Sequence, residues 1–241
     1  MNPLDQMISG GPPIGFDPSK ISRIGILPRY ANDEWKMKWF DVPGFNIVHA
    51  INAWDEEDGK TVTLIAPNIL SMEHTMERLE LVHVETGIIT RQPLSARNIE
   101  FAVLNSKFMA KRSRFVYAAI ENPMPKISGV VKIDVLKGEE VGFRMYGEGC
   151  YGGEPFFVAK EGGGEEDDGY LVSYVHDEQK GESRFIVMDA KSLELELVAE
   201  VKLPRRVPYG FHGLFFDALL HIQRLLRGTR KTKPLRPDME T

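Results

Sequence analysis

The stretch from Val130 to Met145, VVKIDVLKGEEVGFRM, reads as a β-strand, a Lys-Gly turn and a second strand. β-Branched and aromatic residues favour strands, and a glycine allows the chain to reverse tightly between them. The same pattern recurs along the chain in FNIVHAINAW (45–54), TVTLIAPNI (61–69), LELVHVETGIIT (79–90), RFVYAAI (114–120), and residues 170–175, 184–188 and 193–203. Helical patterning is confined to Leu70–Arg78 and Asp217–Arg227. The sequence therefore predicts an all-β fold.

A weak internal repeat relates three of these hairpins. His83 in VHVETG, Asp134 in IDVLKG and Asp189 in MDAKSL hold equivalent positions, 51 and 55 residues apart. A period of about 50 residues with several strands per unit is typical of a β-propeller. The predicted hairpins make three or four blades, which is part of a propeller, because a closed ring typically needs about four to eight. A β-sandwich with a chance similarity among its hairpins is the alternative.

Composition excludes several classes of protein. Thirty Lys and Arg residues against 35 Asp and Glu give a net charge of −5, which disfavours a nucleic-acid-binding protein. Cys150 is the single cysteine of the sequence, so an internal disulfide and a Cys-rich zinc site are excluded. The first residues, MNPLDQMISGGPP, do not read as a secretory signal or as an organelle transit peptide.

Two of the six histidines stand out by their sequence context. His49 lies among apolar residues in a predicted strand, where alternation would place it on one face with Ile47 and Ile51. His212 lies in VPYGFHG, where the flanking glycines permit a sharp turn toward a crowded centre. Each could bind a metal, but ordinary hydrogen bonds for His49 and a turn position for His212 explain the same patterns.

Two carboxylates have unusually apolar neighbours. Glu100 is flanked by Ile99 and Phe101, and Glu154 precedes the apolar run PFFV. A buried carboxylate needs a partner, and a histidine N–H that it orients toward a metal is one such partner. An exposed position at the start of a strand is the alternative for both. The acidic loop GGGEEDDG, residues 162–169, lacks the ligand spacing of a calcium-binding EF-hand and is interpreted as solvated.

Several stretches together resemble the carotenoid cleavage dioxygenase family, particularly its plant plastid branch. The matching segments run in order over residues 1–215: RIGILPRY (23–30), WFDVPGFNIVHAINAWDEEDG (39–59), NIEF (98–101), RFVYAA (114–119), GGEPFFV (152–158), EEDDGYLVSYVHDE (165–178) and RRVPYGFHGLF (205–215). The segments EEDDG and VPYGFHG are the most specific to that family.

The resemblance implies a seven-bladed β-propeller with a non-haem Fe(II) held by four histidines, three of which are hydrogen-bonded by glutamates. His49 and His212 match the third and fourth iron ligands, and Glu100 and Glu154 match the glutamates that orient them. The implied reaction is cleavage of a conjugated double bond of a carotenoid or apocarotenoid by O2, which gives two carbonyl products. The family also implies a plastid location and a peripheral membrane contact of the full-length proteins.

The chain departs from the family pattern in two ways. The first two iron histidines and the first glutamate of the family would lie upstream of Met1, so the chain carries half of the ligand set. Residues 216–241, with six Lys and Arg against three Asp and Glu from Asp217 onward, match no family segment. We therefore expect an incomplete propeller over residues 1–215 and an atypical basic tail, helical or disordered, over residues 216–241. The expected function is that of a dioxygenase fragment; the alternative is a catalytically inactive binding or regulatory partner.

Overall fold

A computed structural model describes Asp17 and residues 19–69, 74–82 and 85–216. These residues form fifteen strands and two short 3₁₀ turns, so the predicted all-β class is confirmed. The strands are β1 Ser22–Ile26, β2 Lys38–Val42, β3 Asn52–Asp55, β4 Val62–Ile69, β5 His74–Val82, β6 Ile88–Ser95, β7 Ile99–Val103, β8 Phe115–Glu121, β9 Ile127–Asp134, β10 Glu139–Met145, β11 Cys150–Gly152, β12 Phe156–Ala159, β13 Gly169–Asp177, β14 Glu182–Asp189 and β15 Leu197–Lys202; the 3₁₀ turns are Glu34–Lys36 and Ser106–Phe108. None of the described residues forms a helix long and apolar enough to cross a membrane.

The strands form antiparallel sheets in which sequence neighbours are mostly spatial neighbours. β1 pairs with β2, and β3, β4, β5 and β6 form a four-stranded sheet in chain order. The remaining nine strands form one large sheet. Within it, β7 to β10 and β12 to β15 are each a four-stranded meander, and the short strand β11 bridges them by pairing with β9 and β13. The described chain thus contains three successive four-stranded meanders.

The apolar core continues from the small sheet into the large one. Trp54 and Ile65 of the small sheet belong to the same buried cluster as Val116, Val131 and Ile133 of the large sheet. A second cluster, which includes Leu171 and Met188, fills the other end of the large sheet. Because buried side chains of both sheets pack together, the loops at the sheet ends are held at fixed positions.

Two of the repeated hairpin positions have a common physical basis. Asp134 Oδ1 accepts hydrogen bonds from the backbone N–H groups of Leu136 and Lys137, at 3.2 and 3.0 Å. Asp189 Oδ1 accepts one from the N–H of Lys191, at 2.9 Å. An aspartate that bonds to the backbone two or three residues later stabilises a turn. The repeat therefore reflects turn chemistry at these two hairpins, and His83 lies outside the described residues.

Two predicted elements differ from the structure. Leu70–Arg78 was expected to be helical, yet His74–Val82 is a strand that pairs with β4 on one side and β6 on the other. Local propensity for a helix is small compared with the gain from pairing along both edges, so the tertiary context decides. The strand predicted over residues 45–54 begins only at Asn52. The predicted helix Asp217–Arg227 lies outside the described residues.

A buried ion pair joins the middle of the large sheet to the acidic loop. Lys132 Nζ lies 2.8 Å from Asp167 Oδ2, and only 1% of the Lys132 side chain is exposed. The same ammonium lies 4.4 Å from the centre of the Phe115 ring. Removing one partner of a buried pair leaves the other charge without compensation.

We expect Lys132→Met to lower the free energy of unfolding by about 3–5 kcal/mol, because the substitution leaves the buried Asp167 carboxylate without its positively charged partner. Lys202→Ala is the matched control, since it removes a lysine that pairs with Glu182 at the surface. The control is expected to change the stability by about 1 kcal/mol or less. Urea denaturation followed by circular dichroism measures both, and equal effects would contradict the buried pair's role.

Candidate functional site

His49 lies in an irregular segment, residues 43–51, and not in the middle of a strand as predicted. Asparagine side chains supply several of the hydrogen bonds that hold this segment. Asn68 Oδ1 accepts from the N–H of Asn46, and Asn68 Nδ2 donates to the carbonyl of Gly44, at 2.9 and 3.1 Å. Asn46 Nδ2 in turn donates to the carbonyl of Ile69, at 3.1 Å. These bonds fix the segment to the end of β4, so His49 is placed without being part of a sheet.

Glu100 lies on β7 at an irregularity of the strand pairing. The register with β8 shifts between Glu100 and Val103, and Phe101 has a φ of 49°. A bulge of this kind re-aims a side chain, and a left-handed φ is unfavourable for a bulky residue such as phenylalanine. Glu100 Oε2 accepts from the N–H of Phe101 at 2.8 Å, which stabilises this conformation. The glutamate is buried, with 4% of its side chain exposed.

Glu154 lies in the short connection between β11 and β12. The strand before it ends at Gly152, where a Cβ atom would come within 2.6 Å of the Tyr146 ring and 3.1 Å of the carbonyl of Tyr174. The backbone can therefore approach β13 this closely only because residue 152 is glycine. The next residue, Gly153, donates its N–H to the same Tyr174 carbonyl at 3.1 Å.

His212 lies in residues 203–216, which have no regular secondary structure and are here called the His212 segment. The irregular backbone agrees with the predicted Gly/Pro loop. The prediction that the flanking glycines permit a sharp turn was wrong, however. Neither Gly210 nor Gly213 has a left-handed φ, and a Cβ atom on either would meet open space. Contacts with other elements, and not glycine flexibility, hold this segment in place.

Both histidines meet their glutamates in the same manner. His49 Nδ1 lies 3.1 Å from Glu100 Oε2, the oxygen that also binds the N–H of Phe101. His212 Nδ1 lies 3.2 Å from Glu154 Oε2, which also accepts from the N–H of Gly213 at 3.0 Å. An ionised carboxylate can only accept hydrogen bonds, so the proton of each neutral ring is assigned to Nδ1. The lone pair of each ring is then on Nε2.

The two imidazoles are neighbours. Their ring centroids are 5.3 Å apart and the rings are nearly perpendicular, at 89°. Phe101 lies beside both, with centroids 5.7 Å from His49 and 5.9 Å from His212. Phe211 packs edge-on against His212 at 4.8 Å and against Phe101 at 5.1 Å. The four residues singled out in the sequence therefore converge on one place, which also includes two phenylalanines.

Two largely apolar clefts open on this place. One, of about 510 Å³, is lined by residues that include His212, Phe185 and Leu214, and the other, of about 230 Å³, by residues that include His49 and Met109. Glu154 and Phe156 line both clefts. Phe45 is buried in the core with Val42, Leu64 and Ala66, whereas Phe211 is exposed beside His212.

Glu100 influences a third carboxyl group. Burial raises the pKa of Glu121, on the adjacent strand β8, and the charge of Glu100 raises it further. Glu100 Oε1 is buried and has no hydrogen-bond partner among the described residues. When two neighbouring carboxyls cannot both ionise easily, the one with the raised pKa stays protonated longer. Glu121 therefore stays protonated to a higher pH than an ordinary glutamate.

The acidic loop has a structural role in the described chain. Glu165, Asp167 and Asp168 lie close together, but Lys191 Nζ contacts Glu165 and Asp168 at 2.7 and 2.9 Å. Asp167 is taken by the buried Lys132. The loop is thus partly buried and neutralised by lysines, unlike the solvated loop predicted. His176 is a buried strand residue whose Nδ1 lies 3.0 Å from Ser183 Oγ.

The donor set beside the clefts suits a transition metal. Neutral imidazole binds zinc, copper, iron and nickel, and a carboxylate that holds the other ring nitrogen fixes the tautomer and the ring orientation. Both requirements are met at His49 and at His212. Two histidines leave coordination positions for further ligands. A redox metal with open positions is the arrangement that O2 chemistry needs.

The comparisons with known protein sequences agree on one family. The sequence profile described as retinal pigment epithelial membrane protein, RPE65, matches residues 1–217. The chain is 63% identical over 231 residues to the probable carotenoid cleavage dioxygenase 4, chloroplastic, of Arabidopsis thaliana, covering 89% of the chain and 39% of that protein. It is 52% identical over 226 residues to the zeaxanthin 7,8(7',8')-cleavage dioxygenase, chromoplastic, of Crocus sativus, covering 87% of the chain and 61% of that protein.

Solved structures show the same fold. A cobalt-substituted Synechocystis apocarotenoid oxygenase matches with a TM-score of 0.74 at 23% identity, over 83% of this chain and 44% of that one. A chimera of that oxygenase with RPE65 matches with a TM-score of 0.73 at 22% identity. The chain spans about two fifths of the length of the Arabidopsis relative and of the Synechocystis oxygenase structure.

We expect Glu100→Ala to release His49 from its single tautomer, because Nδ1 loses its carboxylate. The loss of the acceptor for Phe101 N–H should also lower the free energy of unfolding by about 1–3 kcal/mol. Imidazole ¹⁵N NMR reports the tautomer and urea denaturation the stability. Glu139→Ala, an exposed glutamate on β10, is the control and should change neither. An unchanged His49 spectrum in Glu100→Ala would show that Glu100 does not orient the ring.

Proposed function

The chain belongs to the RPE65/carotenoid cleavage dioxygenase family, and from this premise we propose that it forms the part of such an enzyme that supplies two of the iron-binding histidines. The observation that carries the proposal is the duplicated contact at the site. Two histidines, 5.3 Å apart, each present Nδ1 to a glutamate oxygen that also binds a backbone N–H. A merely structural histidine would not need a matching neighbour of this kind.

The fold supports a partial β-propeller as the setting. The three successive four-stranded meanders have the strand order of propeller blades, which are four-stranded antiparallel sheets arranged around an axis. His49 follows the β1–β2 hairpin and precedes the first meander, and His212 follows the last. In this proposal residues 1–215 are the propeller part, and residues 216–241 are a separate tail.

We assign the metal as Fe(II) on the family relation, with His49 and His212 as its ligands. The iron would supply the binding and activation of O2. Glu100 and Glu154 keep a proton on each Nδ1 and so leave each Nε2 unprotonated for the metal. Phe101 and Phe211 present apolar ring surface to the two imidazoles.

The apolar clefts beside the histidines support a long hydrophobic substrate. Carotenoid cleavage is the activity named for the relatives, so we propose a carotenoid or apocarotenoid as the substrate and two carbonyl compounds as the products. The chloroplastic and chromoplastic names of those relatives support a plastid location. The part played by this chain is to hold the double bond beside the metal.

The first test of the proposal is reconstitution of activity. We expect the purified 241-residue chain with Fe(II) to bind the metal weakly and to cleave no carotenoid, because His49 and His212 alone match ligand motifs. Co-expression with the complementary N-terminal portion of the Arabidopsis relative, in a carotenoid-accumulating bacterial host, should restore cleavage. Loss of pigment and chromatography of the carbonyl products measure it.

Variants make the reconstitution specific. His49→Ala and His212→Ala should each reduce cleavage at least about a hundredfold, as expected when a ligand that positions a catalytic group is lost. His221→Ala, to which no motif assigns a role, should leave cleavage unchanged. Cleavage by either ligand variant at the unsubstituted rate would overturn the assignment. A folded complex that forms but never cleaves would instead support the inactive partner considered from the sequence.

A further inference from the structure

We propose that Ser183 and Tyr209 are positioning residues that hold the His212 segment against the large sheet, so that His212 meets Glu154. This inference rests on the proposed function only because it takes His212 to be a metal ligand. The physical need is plain from the structure, since 56% of the His212 side chain is exposed and its segment has no strand partner of its own. Something outside the segment must therefore fix it.

Ser183 binds the segment at two points. It is buried, lies on β14, and its carbonyl accepts from the N–H of Leu203 at 2.8 Å. Its hydroxyl oxygen accepts from the N–H of Val207 at 3.0 Å. The side chain is itself fixed from the other side, because Ser183 lies directly opposite His176 in the β13–β14 register and its Oγ is 3.0 Å from His176 Nδ1.

Tyr209 binds the same hairpin end from the segment side. Its hydroxyl donates to Glu178 Oε1 at 2.9 Å, and Glu178 is also held by Lys126 Nζ at 2.8 Å. The hydrogen bond from Lys126 lowers the pKa of Glu178, so the acceptor is a carboxylate. The Tyr209 ring packs edge-on against His176, with centroids 6.1 Å apart. His176 thus contacts both anchors of the segment.

The anchors lie close to His212 in the chain. Val207 and Tyr209 precede it by five and three residues, and Gly213, which follows it, donates to Glu154 at 3.0 Å. Restraining the backbone before His212 reduces the conformational freedom that the segment would lose when His212 and Gly213 bind Glu154. Removing either anchor should therefore weaken the contacts that His212 and Gly213 make with Glu154. Neither Ser183 nor Tyr209 takes part in those contacts directly.

The test compares Ser183→Ala with Ser183→Thr, which keeps a hydroxyl, and with Ser128→Ala. Ser128 is a buried serine on β9 whose hydroxyl bonds the carbonyl of Ile120, away from the segment. Amide hydrogen exchange of Gly213, followed by NMR, should be about three- to tenfold faster in Ser183→Ala, the effect of about one lost hydrogen bond. The His212 imidazole ¹⁵N signals should shift from a single tautomer toward a mixture.

We expect Ser183→Thr to restore the Gly213 exchange rate and the His212 tautomer, and Ser128→Ala to leave both as in the unsubstituted chain. Tyr209→Phe, which keeps the ring and removes the bond to Glu178, should give the same changes as Ser183→Ala and serves if that variant does not fold. Unchanged Gly213 exchange and His212 signals in both folded variants would overturn the inference.

These readouts need no metal and no substrate. If the unsubstituted chain shows the His212–Glu154 contact but reconstitution yields no cleavage, the proposed function fails while the positioning role stands. If cleavage is reconstituted and Tyr209→Phe and Ser183→Ala leave the His212 signals unchanged, the positioning role fails alone. The Co(II) affinity of each variant gives a further comparison, and in this account Ser183→Ala binds Co(II) more weakly than Ser128→Ala.

Discussion

The site depends most on a carboxylate oxygen that accepts two hydrogen bonds at once. At Glu100 and at Glu154, one oxygen accepts from an imidazole Nδ1 and from a backbone N–H, that of Phe101 at Glu100 and that of Gly213 at Glu154. At Glu100 the backbone bond from the next residue fixes where the carboxylate lies, whereas at Glu154 the bond from Gly213 ties the His212 segment to the carboxylate. In both cases the carboxylate fixes the ring and its tautomer. The bulge at Glu100, the left-handed φ of Phe101 and the close approach at Gly152 serve this arrangement.

The sheets supply the distances over which these contacts are made. Glu100 is 51 residues from His49, and Glu154 is 58 residues from His212, so neither contact can form by local folding. The antiparallel meanders bring the loops together, and the core shared between the small and large sheets prevents them from moving apart. Both histidines lie outside the strands, because an irregular backbone can turn a ring in a direction that a strand cannot. The family relation then gives this geometry its meaning as one part of an oxygenase site.

Much of the fold could be predicted from the sequence because turn residues and alternation are local signals. The strand, Lys-Gly turn and strand predicted over residues 130–145 were of this kind, and the structure has β9 and β10 there, with β9 beginning at Ile127. The helix expected at residues 70–78 was wrong because pairing on two edges outweighs local preference. The strand expected around His49 was wrong because Asn46 and Asn68 satisfy the backbone instead, a long-range effect with no local signature. The four site residues came from the family motifs, but the anchoring by Ser183 and His176 was missed, since both looked like parts of an ordinary charged hairpin.

The central claim is that His49 and His212 can bind one metal ion together. X-ray absorption of the Co(II)-loaded chain tests it most directly, because multiple scattering from imidazole rings counts the histidines bound. We predict two imidazoles per cobalt in the unsubstituted chain and one in His49→Ala, with the remaining positions filled by oxygen donors. Cobalt bound through oxygen donors alone, or two imidazoles that persist in His49→Ala, would contradict it.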